Sequence, residues 1–118
     1  MSDVEGKPHM DLKDRTKQFA LTVITLYKTL PKTVEAQVIG KQLLRAGTSV
    51  GANTRAAFRG RSKREYVAKL GIVIEEADES GFWLELLSDS GILALPVTAP
   101  LQKEANELVS IFTSLVKR

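Results

Sequence analysis

Four apolar stripes at helical spacing, cut apart by three stop-and-start signals, constrain this chain more than any other feature. The first stripe runs through Leu12, Thr16, Phe19, Val23, Leu26 or Tyr27, and Leu30. Steps of three and four residues put these side chains on one side of a helix. Pro31 ends that run, and Thr33 is placed to cap a second helix with Glu35 in its first turn, where a carboxylate suits the helix dipole. The second stripe is Ala36, Ile39, Leu43, Ala46, Gly47, Val50, Thr54 and Ala57. Gly47 and Gly51 lie inside it, each at about 1 kcal/mol relative to Ala. The apolar stripe and the basic residues opposite it, Lys41, Arg45, Arg55 and Arg59, keep phase across the glycines, so the reading is one continuous helix with a small-residue patch from Ala46 to Asn53, where another backbone comes close. A loop splitting the helix near Gly47 is the competing reading.

Gly60 is a C-terminal stop, and Ser62 with Glu65 three residues on forms a capping box that opens a third helix. Its stripe is Tyr66, Leu70, Val73, Ala77, Leu84 and Leu87, passing through Ser80, and Gly91 ends it. Residues 92–97, with Pro96, read as an apolar connector folded over the end of the domain. The fourth stripe, Leu101, Ala105, Leu108, Phe112 and Leu115, follows a start near Pro100, since proline is tolerated in a first turn. Helices are thus expected over residues 12–30, 34–59, 63–89 and 99–117. Short connections make sequential helices antiparallel neighbours, and the fold class is all-α, an antiparallel up-and-down four-helix bundle in a single domain over residues 12–118. Residues 1–11 lack periodicity and read as a disordered leader, with His9 and Met10 resembling the remnant of an appended tag.

The charges are segregated. Lys41, Arg45, Arg55 and Arg59 step along the second helix opposite its apolar stripe, and Arg61, Lys63 and Arg64 crowd the hinge that follows, with Glu65 the single acid between Lys41 and Lys69. From Glu75 to Asp89 the sign reverses, with no basic residue. A net charge of +3 is too small to argue for nucleic acid by itself. The clustering has to carry that argument, and it supports two readings: weak binding of nucleic-acid phosphates by Lys41, Arg45, Arg55, Arg59, Arg61, Lys63 and Arg64, or pairing of this face with an acidic surface on a neighbouring subunit or partner. With Phe58 and Tyr66 expected to face inward, no stacking platform accompanies the cations, and binding would be to phosphates alone. The third helix also carries Ile72, Phe82, Trp83 and Leu86 away from its core stripe. A monomeric bundle would expose them, so they are assigned to a subunit interface; packing of Trp83 beneath the 92–97 connector is the alternative.

The string GKQLLRAGTSVGAN from Gly40, with Arg55, GRS at Gly60, KLGI at Lys69, EADE at Glu76 and WLELL at Trp83, resembles the bacterial proteins encoded in intervening sequences of large-subunit ribosomal RNA genes, often called four-helix bundle proteins. The resemblance runs from about Leu12 onward. It implies a four-helix bundle, assembly into a homopentamer, and a poorly defined role. A related branch, the accessory proteins of diversity-generating retroelements, implies RNA or DNA and a partner protein such as a reverse transcriptase, although the quoted strings are the general bundle pattern and do not place this chain in that branch.

Enzymatic chemistry finds little support. The acidic cluster at Glu75, Glu76, Asp78 and Glu79 lacks the Glu-x-x-His pairs of helical di-metal sites, and the sole histidine, His9, lies in the leader. No nucleophile elbow or phosphate loop is present, and the glycines near Gly47 follow no strand. The expectation is therefore no catalytic residues, no metal and no cofactor. There is no cysteine, no apolar signal core and no apolar run near the ~18 residues of a membrane span, which reads as a cytoplasmic protein with no membrane partner.

Overall fold

A computed structural model describes residues 8–118, with side chains from Leu12 onward. Four helices follow in order: α1 Pro8–Lys28, α2 Val34–Phe58, α3 Lys63–Asp89 and α4 Leu95–Val116. No strand occurs among the described residues. Each helix packs on its sequence neighbour in a body of 44 × 31 × 20 Å, whereas α1 and α4 meet only sparingly.

The expected stripes form the core. Phe19, Val23, Leu43, Val50, Leu70, Val73, Leu84, Leu87, Leu108 and Phe112 are all buried in one cluster. Two expected members stay at its edge, Ile39 and Tyr66, both only partly buried; Gly40 is buried near Ile39's position instead. The buried hydroxyls need no partner from another helix, because Thr16 and Thr54 each donate to the carbonyl four residues back, Leu12 at 2.8 Å and Val50 at 2.7 Å. The caps are the expected ones: Thr33 accepts from Ala36 N, and Ser62 accepts from Glu65 N at 3.1 Å while Glu65 takes Arg61 N–H at 2.8 Å.

Helix α2 is continuous through its glycines, and the structure gives the reason. A Cβ on Gly47 would lie 2.9 Å from Val23 Cγ2, and one on Gly51 would lie 3.3 Å from the Thr16 carbonyl oxygen. The α1 and α2 backbones come close there, and contact across this seam offsets the low helix propensity of glycine.

Five boundaries differ from expectation. Helix α1 begins at Pro8, a residue suited to a first turn, so the leader's last residues are helical; residues 1–7 lie outside the described residues. Helix α4 starts at Leu95, four residues before the expected 99, with Pro96 in its first turn and Pro100 inside it. The 92–97 connector is therefore shorter than expected. Gly91, at φ 81, turns the chain out of α3, Ile92 and Leu93 pack against the core, and the next residues are already helical. Sequence reasoning makes Pro96 a loop marker and Pro100 the first-turn proline; in the structure the earlier proline holds that position. The other three are one or two residues: α1 ends at Lys28 rather than 30, α2 at Phe58 rather than 59, with Arg59 as its cap, and α4 at Val116 rather than 117.

Arg15 spans the sparse α1–α4 seam. Its guanidinium donates from Nε and Nη2 to the two carboxylate oxygens of Glu104 at 2.7 and 2.8 Å, and from Nη2 to Glu107 at 2.6 Å. These hydrogen bonds, Glu104's foremost, raise its pKa further above the usual arginine value.

Candidate nucleic-acid interface

The up-and-down topology brings the start of α1, the end of α2, the α2–α3 hinge, the start of α3 and the end of α4 to one end of the bundle. Exposed at that end are Lys13, Lys17, Arg55, Arg59, Arg61, Lys63, Arg64, Lys117 and Arg118, with Lys69 partly buried behind them. The acids near that end are Asp14, Glu65, and Glu104 and Glu107, the last two clasped by Arg15, and none of the exposed cations makes an ion pair among the described residues.

The basic residues expected on α2 thus separate into three situations. Arg55, Arg59, Arg61, Lys63 and Arg64 belong to the positive end. Arg45 does not: it bridges to α3, donating from Nη1 to Glu76 Oε1 at 3.2 Å and from Nη2 to Glu79 Oε2. The hydrogen bond to Glu79 leads the causes that raise its pKa. Its charge is balanced within the chain, as is much of the acidity of α3 at that level. Lys41 is exposed but lies about 21 Å up the axis from Arg55, at about 1.5 Å per residue. A single stripe on the helical wheel is therefore not a single electrostatic surface.

Two concave features lie at the positive end. One is a cleft of about 390 Å³ between α1 and α2, with Lys13, Lys17 and Arg55 around a floor of Ala20, Thr48, Gly51 and Ala52. Gly51, where α1 and α2 approach closely, forms part of this floor between the flanking cations. Lys13 and Lys17 escaped sequence reasoning because they sit far from α2 in the chain; pairing antiparallel neighbours would have found them. The other is a cavity of about 530 Å³ at the hinge, which Phe58 and Tyr66 help to line. Both aromatics were expected to face inward. They are only partly buried, with ring centroids 6.1 Å apart and planes tilted by 35°.

The residues expected at a subunit interface share the outward side of α3. Phe82 is 49% exposed, and Ile72 and Leu86 are partly exposed. Trp83 is more committed to its own chain: its ring packs against the core, stands edge-on to Phe82 at 5.0 Å, and its Nε1–H donates to Glu79 at 3.0 Å. Glu79 therefore joins Arg45 of α2 to Trp83. Nearby, Asp78, Phe82 and Glu85 of α3 and Asn106 of α4 line an acidic groove of about 380 Å³. No group of three or more His, Asp or Glu side chains is arranged to hold a metal ion among the described residues, and none of the described helices is long and apolar enough to cross a membrane.

A comparison with curated proteins found no match. Among solved structures, a protein of unknown function from the S23 ribosomal protein family of Bacteroides thetaiotaomicron VPI-5482 is similar, at 33% identity and a TM-score of 0.87, over 93% of this chain and 98% of that one. The profile of the 23S rRNA-intervening sequence proteins matches residues 9–114. With the four-helix bundle in the same arrangement, the chain belongs to the 23S rRNA-intervening sequence protein family.

Proposed function

We propose that this protein is a non-catalytic, nucleic-acid-associated bundle that holds RNA or DNA by its phosphate backbone at the positive end, with weak sequence preference. The observation that carries the reading is the convergence of Lys13, Lys17, Arg55, Arg59, Arg61, Lys63 and Arg64 from separate elements at one end, without an ion pair among the described residues, while Arg45 is neutralised by Glu76 and Glu79. Keeping many like charges together costs self-repulsion, which a polyanion relieves. Binding would release counterions from about four phosphates and so weaken steeply with salt.

A second feature favours self-association alongside this role. Phe82 is exposed beside partly exposed Ile72 and Leu86, and Leu21, Val34, Val38, Leu95 and Val97 are exposed elsewhere. The outward side of α3 is the proposed subunit contact, and a ring of five is the assembly implied by the family likeness. Repetition of the positive end around such a ring would strengthen a weak phosphate contact through multivalency.

One experiment separates nucleic-acid contact from a purely structural use of the basic face. Arg55→Ala with Arg59→Ala should weaken retention on DNA or RNA cellulose at about 50 mM salt and leave the light-scattering mass unchanged. Dissociation of the assembly, or no retention of the wild-type protein on either polymer, would overturn the proposal and leave a protein-interaction module in its place.

A further inference from the structure

The hinge cavity differs from the rest of the positive end in having an aromatic wall. Tyr66 and Phe58 line it together with Leu115, and Ser62, Lys63 and Arg118 bring polar and cationic groups to the same space. Its volume of about 530 Å³ falls within the range of about 300–1,000 Å³ usual for small-ligand sites. Gly60 also lines it, where the hinge backbone is tight: a Cβ there would stand 3.2 Å from the Ala57 carbonyl oxygen and 3.3 Å from Tyr66 N.

Tyr66 is not used as the other tyrosine is. The Tyr27 hydroxyl donates to Gln37 Oε1 at 2.8 Å, fixing it within the fold. The Tyr66 hydroxyl makes no hydrogen bond among the described residues, and its partly buried ring rests on the core edge with the Phe58 ring beside it, centroids 6.1 Å apart and planes tilted by 35°. A ring packed on the core edge, lining a cavity and flanked by lysine and arginine, has the chemistry of a stacking platform for a nucleobase whose phosphate is met by cations.

We infer that this cavity takes one unpaired nucleotide, its base stacked on Tyr66 and its phosphate beside Lys63 and Arg118. The inference rests on the phosphate-backbone reading and adds to it a preference for single strands. In a duplex each base is already stacked between its neighbours and is not offered to a side chain without unstacking. The clustered cations favour an anionic polymer over an apolar peptide as occupant, and the ring favours a polymer that carries bases.

The test uses fluorescence anisotropy with the full chain, a labelled oligo(dT) or oligo(U), and a labelled duplex of the same length. Wild type should bind the single strand more tightly. Tyr66→Leu should reduce single-strand affinity by about 5- to 100-fold, the loss of one base stack, with duplex affinity within about twofold of wild type, and Tyr66→Phe should retain the preference. Photocrosslinking of wild type to a 5-iodouracil oligonucleotide supplies a readout independent of any variant's folding: the adduct should map to Tyr66 or Phe58. Equal affinity for single strand and duplex, unaffected by Tyr66→Leu, or an adduct confined elsewhere, would overturn the stacking site while leaving phosphate binding intact. Failure of wild type to bind either probe would remove both.

Discussion

Replacing Gly47 with alanine tests the claim that α1 and α2 are held together at glycine distance. Two effects oppose each other. Alanine gains about 1 kcal/mol over glycine in a helix interior. Against this, the new Cβ would stand 2.9 and 3.0 Å from the two Cγ atoms of Val23 and 3.2 Å from its Cβ. Val23 is fully buried, and as a β-branched residue it has little rotamer freedom in a helix, so relief requires α1 and α2 to separate. Overpacking of this kind costs about 1–3 kcal/mol. Gly71 supplies the reference: it is also inside a helix, yet an added Cβ would meet nothing within 4 Å. Gly71→Ala should therefore stabilise by up to about 1 kcal/mol. The difference between the two variants, with propensity common to both, isolates the packing cost of about 1–3 kcal/mol. Thermal melts followed by circular dichroism at matched protein concentration should place Gly47→Ala about 3–15 °C below Gly71→Ala. In addition, Val23→Ala should be less damaging in the Gly47→Ala background than in wild type, since it removes the clash. Equal or greater stability of Gly47→Ala would refute the close approach.

Two further substitutions probe the joints. Arg15→Ala removes the α1–α4 clasp, but its guanidinium and the two carboxylates are partly exposed. Solvent screening then limits the loss to about 1 kcal/mol or less, measured by urea denaturation. Ser62→Ala removes the side-chain acceptor for Glu65 N at the start of α3 and should cost about 0.5–2 kcal/mol in the same assay. A larger effect at Arg15 than at Ser62 would mean that the sparse seam matters more to the fold than its packing suggests.

The bundle was legible because its determinants are local. Period, caps and glycine stops act within a few residues, and the spacing from Leu12 to Leu115 marks nearly every buried position. Legibility fell where two nearby residues can serve one role, as with Pro96 and Pro100 at the start of α4. It fell further at the functional surface. The charge of Lys13 and Lys17 matters because α1 lies against α2, and that of Arg45 is cancelled because α3 lies on α2's other side. A wheel drawn for one helix contains neither fact. Phe58 and Tyr66 show the same limit, since their apolar character suggested core and only the shape of the hinge leaves them at a cavity wall.

The most direct test of the central claim is the salt dependence of duplex binding for wild type, Arg45→Ala, and the Arg55→Ala, Arg59→Ala double variant. Neutralisation of about four phosphates gives a log–log slope of roughly −3 to −4. If the positive end is the contact surface, the double variant should lose about two units of slope, at about 0.9 per phosphate, and Arg45→Ala should keep the wild-type slope. An equal change for both variants, or no salt-sensitive binding by the wild-type protein, would contradict it.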